Sequence, residues 1–235
     1  VLKRICGVAA ALFLLSCTLP KSQSTAPSRA PVEAMTAALP AAAGNYRIDG
    51  SRSELRLLVY RAGALANLGH NHVILNRNLN GSIHVASTLA ASSLSFSVPV
   101  AGFIIDDAQA RREEGNDFAA EIPDDAKAGT LKNMTGPALL DAAQYQTISL
   151  RSLEFQQSGE KFSARLAVSV AGHESTLDVP FVLTADRNSL TATAAFELRQ
   201  TALGLTPFSL LLGALAVRDA MQVKLNVVAV MEPQH

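Results

Sequence analysis

The stretch KFSARLAVSV, residues 161–170, sets Phe162, Ala164, Leu166, Val168 and Val170 on every second position, against Lys, Ser and Arg. A period of two is the mark of a strand with one face in a core and one in water. The same period carries Leu55, Leu57 and Val59; Leu94, Phe96, Val98 and Val100; Leu177, Val179, Phe181 and Leu183; Leu190, Ala192, Ala194, Phe196 and Leu198; and Val223, Leu225, Val227, Ala229 and Met231. With weaker stretches near 70–75, 80–87 and 148–156, about eight strands result, a number that closes naturally into an antiparallel barrel. Asn80-Gly81, Ser158-Gly159, Gly172-His173 and Asp186-Arg187-Asn188 read as hairpin turns, so the sheet is expected to run largely up and down.

The alternation stops between Asp106 and Ala143, where charge-rich stretches are broken by Gly115, Pro123, Gly129 and Gly136-Pro137. This predicts a small helical excursion over or beside an otherwise all-β barrel, with its carboxylates on a solvated helical face because they lack the ordered spacing of a calcium loop. The apolar run Pro207–Val217 reads as the plug of the core, with a lid as the alternative.

The N-terminus has another character. Lys3 and Arg4 precede an apolar stretch from Ile5 to Leu15 that is too short to span a bilayer, and Ser16-Cys17 follows. Residues 1–16 are expected to be an export signal. Leu14-Leu15-Ser16-Cys17 resembles the bacterial lipobox, which implies lipidation of Cys17 and cleavage before it. Residues 17–44, rich in Ala, Pro and Ser, are expected to be a tether, with the barrel domain over 45–235. Thr18 after the cysteine leans toward the outer membrane, with the domain in the periplasm. Twenty basic residues balance twenty acidic ones and Trp is absent, which argues against nucleic acid as a partner.

Two histidines, His70 and His72, head the apolar run LGHNHVIL in a chain with five histidines. On a strand they share a face with Ile74. Three readings fit: rim hydrogen bonds at a strand start, donation to a headgroup or quinone carbonyl at a cavity mouth, or a metal site completed by His84 or His173. Two histidines alone are too few for a closed zinc centre, so no metal is assigned. No Gly-x-Ser-x-Gly elbow, phosphate loop or dinucleotide fingerprint is present, and no enzyme activity is expected.

Four segments in register carry a resemblance: YRIDGSRSELRLLVYRAG at 46–63, NMTGPALLDAAQYQTISLRSLEF at 133–155, GHESTLDVPFVL at 172–183 and FELRQTALGLTPFSLLLGALAVRDAMQVKLNVVAV at 196–230. Together they resemble the YceI-like family, departing from it in the order Gly172-His173 and in the acidic, alanine-rich insert. The resemblance implies an extended lipocalin-like barrel, exported to the periplasm, that holds a polyisoprenoid, a quinone-like lipid or another long amphipathic chain. Phe96, Leu166, Phe181, Ala192, Ala194, Phe196 and Phe208 are then the expected lining, with His70 and His72 at the mouth. A packed barrel without a cavity, acting as an interaction module, and a metal-dependent protein centred on the histidines are the alternatives.

Overall fold

The computed structural model describes residues 41–233. The expected signal segment, Cys17 and nearly all of the tether lie outside the described residues. In chain order the strands are β1 (Gly44–Ile48), β2 (Glu54–Val59), β3 (Arg61–Ala62), β4 (His72–Asn76), β5 (Asn80–Val85), β6 (Ser93–Pro99) and β7 (Phe103–Ile105). Helices α1 (Ala108–Glu113) and α2 (Asp124–Thr135) follow. The rest of the sheet is β8 (Thr147–Ser158), β9 (Lys161–Val170), β10 (His173–Ala185), β11 (Ser189–Arg199), β12 (Ser209–Leu210), β13 (Leu215–Val217) and β14 (Ala220–Met231).

Eight strands close the barrel in the order β1-β5-β6-β8-β9-β10-β11-β14, with β14 returning to β1 through Tyr46 opposite Met231 and Ile48 opposite Ala229. Closure leaves none of these strands as a free edge along its whole length. Every pairing is antiparallel, and β8 to β11 are successive hairpins. The first strand departs from a simple meander. After β1 the chain bends through a turn of 3-10 helix at Gly50–Arg52, anchored by the Ser53 hydroxyl on the Asp49 carbonyl. It then resumes as β2 further along the same edge of β14, and β4 and β7 add outward from β2. The barrel is thereby extended at one end by a three-strand flap. Residues 41–233 hold the whole ladder and every described core residue, so a segment that spans them contains what the fold requires.

The alternating residues named from the sequence face inward. Phe96, Val98, Phe162, Ala164, Leu166, Val168, Val170, Leu190, Val223, Val227 and Ala229 are buried, and Leu177, Phe181, Leu183, Ala194, Phe196 and Leu198 pack half-buried against them. Strands β2 and β4 are apolar on both faces for a different reason. Their outer residues Leu58, Val73 and Leu75 form a second cluster with Ala110 and Phe118 of the helical excursion, closed by Tyr60, whose ring lies 5.5 Å from that of Phe118.

Three sequence expectations need correction. Asn80-Gly81 is no hairpin turn: it opens β5, and the connection from β4 at 77–79 joins strands that do not pair. Gly81 sits at φ +151 opposite Phe96, where a Cβ would come within 2.1 Å of the Ser95 carbonyl oxygen, so the glycine serves a close strand approach. The charged excursion is not simply a solvated face either. Arg56 of β2 is gripped by Glu54, Glu113 and Glu114 at 2.7, 2.9 and 2.7 Å, and Lys224 of β14 pairs with Glu114, whose side chain is 5% exposed. Thirdly, the run Pro207–Val217 does not plug the core. It folds as the β12–β13 hairpin, pairs with β3, and exposes its tip.

Candidate functional site

The barrel contains two apolar cavities. The first, about 270 Å³, opens at the flap end; β2 and β4 supply Leu57, Val59 and Ile74, α2 supplies Thr130, Asn133 and Met134, and the β12–β13 hairpin supplies Phe208, Leu215, Ala216 and Val217. The second, about 130 Å³, lies toward the other end and is lined by Phe96, Leu150, Leu166, Val179, Phe181, Ala192, Ala194 and Val227 among others. The helical insert is thus part of the first cavity's wall, because α2 packs beside β7 at the flap.

The lining sets share no residue, and the strands show what lies between them. On β14, Met221 faces the first cavity and Leu225 and Val227 the second, with Val223 between. On β9, Val170 faces the first and Leu166 and Ala164 the second, with Val168 between. Phe196 stands opposite Val223 and lines neither cavity. These apolar residues make up the level between the two cavities, the partition.

The expected site residues fall accordingly. His70, His72 and Phe208 line the first cavity; Phe96, Leu166, Phe181, Ala192 and Ala194 line the second; Phe196 belongs to the partition. The histidine rings are 6.2 Å apart, edge to face. His70 is exposed and precedes the strand, whereas His72 begins β4 with its side chain 13% exposed.

The partner of His72 gave no signal in the sequence. Its Nδ1 lies 2.6 Å from Oδ2 of Asp106, whose side chain is completely buried. The other carboxylate oxygen accepts the Val73 N–H at 2.9 Å and the guanidinium of Arg111 from α1. Burial pushes the Asp106 carboxyl up, but the hydrogen bonds from His72, the Val73 N–H and Arg111 outweigh it and hold the group below its ordinary value. An ionised Asp106 accepts, so the Nδ1 of His72 carries the proton and, in the neutral ring, Nε2 is an acceptor. The hydrogen-bond contact of Nε2 among the described residues is the Thr130 hydroxyl at 3.4 Å, which donates to the Ala126 carbonyl at 3.0 Å. With the ring in that neutral form, a half-buried acceptor faces an apolar cavity without a good donor.

Neither candidate third ligand joins the histidine pair. His84 pairs with Asn45 on the exposed face of β5, His173 packs against Gly204, and among the described residues no three His, Cys, Asp or Glu side chains converge.

An up-and-down antiparallel barrel with an apolar interior and few polar groups at one end defines the lipocalin-like class of binding barrels. The family model for the YceI-like domain matches residues 46–229, and the chain belongs to that family, whose barrels bind lipid or polyisoprenoid-type ligands and are generally not enzymes. Among solved structures, BcnA from Burkholderia cenocepacia superposes with a TM-score of 0.58 at 14% identity, over 78% of this chain and 99% of that one. A YceI protein from Campylobacter jejuni aligns at a TM-score of 0.46 and 10% identity, over 66% of this chain and 82% of that one. No curated protein sequence matches the chain.

Proposed function

We propose that the protein is a periplasmic carrier of a long-chain amphipathic lipid, an isoprenoid alcohol or a quinol-like molecule, tethered to a bacterial membrane, the outer one by preference, through an acylated Cys17. The observation that carries this reading is the pair of apolar cavities stacked along one barrel with the Asp106-bound imidazole of His72 at the outer one. Each cavity alone falls below the roughly 300–1,000 Å³ of common ligand pockets, which favours a ligand that occupies both once the partition yields. The headgroup rests at His72 and the chain runs toward Phe96 and Phe181. An acceptor at Nε2 suits a hydroxyl better than the quinone carbonyl that the sequence alone suggested.

Native mass spectrometry of the segment 36–235, purified without detergent or chelator, tests the carrier reading. A retained lipid, or uptake of added geranylgeraniol, supports it; a bare protein that takes up no prenol rejects it. Growth with radiolabelled palmitate tests the anchor separately: label in the wild type that is absent from Cys17→Ser supports lipidation, and equal labelling removes it.

A further inference from the structure

The tip of the β12–β13 hairpin has an unusual conformation and an unusual surface. Leu211 and Leu212 both adopt left-handed backbone, at φ 51 and φ 58, a region costly for a residue with a branched side chain. They gain no burial for it: Leu210, Leu211 and Leu212 are 49%, 69% and 109% exposed. The loop at 63–69 is joined to the tip by the Leu65 N–H on the Ala214 carbonyl at 2.7 Å, and it adds Leu68, 66% exposed. Four leucines thus stand in water on two linked loops, and the inner side of the same hairpin walls the first cavity.

Two cations stand at the base. Arg61 pairs across β3 with Val217 and donates to the Gly69 carbonyl, and the exposed Arg218 lies over the Tyr60 ring. Neither enters an ion pair among the described residues. A standard protein partner needs a broad, complementary patch of about 800 Å² per side. Here the exposed leucines stand on two loop tips, led by Leu212, with two arginines at their base. That is the form of a wedge for the interface of an anionic bilayer, where leucines enter the acyl boundary and arginines meet phosphates.

We propose that this tip docks the barrel on an anionic lipid surface and sets the mouth of the first cavity against it. The strained leucines are held out for the membrane, and a lipid leaving the bilayer meets the cavity without crossing water. Docking of this kind does not depend on which lipid the barrel carries or on acylation of Cys17.

Vesicle flotation of the segment 36–235, which lacks Cys17, tests the proposal. The wild type is expected to float with phosphatidylethanolamine vesicles containing phosphatidylglycerol, far less with phosphatidylcholine, and to be weakened by salt. The double variant Leu211→Ser, Leu212→Ser is expected to lose on the order of a hundredfold in vesicle affinity, in line with removal of two buried side chains. Leu212→Gly separates docking from folding, because glycine relieves the backbone strain: its Tm should rise while its flotation falls. Wild type that stays out of both vesicle types, or variants that float equally well, would overturn the proposal. So would a dimer in analytical ultracentrifugation that the serine variant dissolves, since a second copy would then occupy the tip. Prenol uptake by the variants, read by native mass spectrometry, reports on the carrier function independently.

Discussion

Arg111 reaches the carboxylate of Asp106 from five residues along the chain, and both side chains are almost wholly removed from water, at 7% and 0% exposure. The guanidinium also donates to the carbonyls of Asn71 and Ala120 at 2.8 and 2.9 Å and lies 5.8 Å from the centre of the Phe118 ring. One buried ion pair therefore fastens α1, the start of β4 and the imidazole of His72 together.

Removing its negative member leaves a buried cation without a countercharge. Asp106→Asn is expected to lose about 3 kcal/mol in urea unfolding. Because the folded-state value of Asp106 is lowered, its contribution is present above the unfolded value near pH 4 and disappears as pH falls through the folded one. Acid titration of the wild type should show this extra loss, and Asp106→Asn should lack it; parallel acid curves would refute the assignment.

Headgroup choice follows from the Nε2 acceptor. Geranylgeraniol should bind about tenfold tighter than its methyl ether, which keeps the chain but cannot donate, the worth of one hydrogen bond. In His72→Phe the preference should vanish or reverse, because the ether is the more apolar molecule. Competition in native mass spectrometry reads the ratio, and an ether that binds the wild type as well as the alcohol does would rule out donor recognition.

The partition makes a prediction about chain length. Phe196→Ala should join the two cavities, cost about 2 kcal/mol for a half-buried phenyl ring, and shift preference toward longer prenols. Affinities measured across prenols of roughly ten to forty carbons would expose the idea as wrong if the wild type and the variant gave the same profile.

Gly204 joins two turns at the flap end. It holds φ +75 at the close of the turn Gln200–Leu203, and a Cβ there would lie 2.7 Å from Cγ of His173. Gly204→Ala should therefore lose about 2 kcal/mol, from backbone strain and displacement of the imidazole. An unchanged Tm would mean that the His173 ring yields freely.

Much of the barrel was legible one strand at a time. The alternation from Phe162 to Val170 gave the inward face of β9 residue by residue, and the turns at Ser158-Gly159 and Asp186–Asn188 stand where short-range chemistry puts them. Asn80-Gly81 misled because the dipeptide that suits a hairpin turn also suits a strand pressed against a neighbour's carbonyl, and only the neighbour distinguishes the two. The candidate site was legible in part. His70, His72 and the apolar lining were visible as residue types, but alternation says which way a side chain points, not whether the space it enters is filled.

The amino-acid order by itself determined the strands, their faces and the place where the pattern breaks, because these are local consequences of backbone geometry and side-chain polarity. Burial of Asp106 and Arg111, the roof that α2 lays over the first cavity, the partition at Phe196 and Val223, and the exposure of Leu212 were decided only by the tertiary structure. Each depends on which distant segment comes to lie alongside, and a charge or a leucine has the same letter in water as in a core.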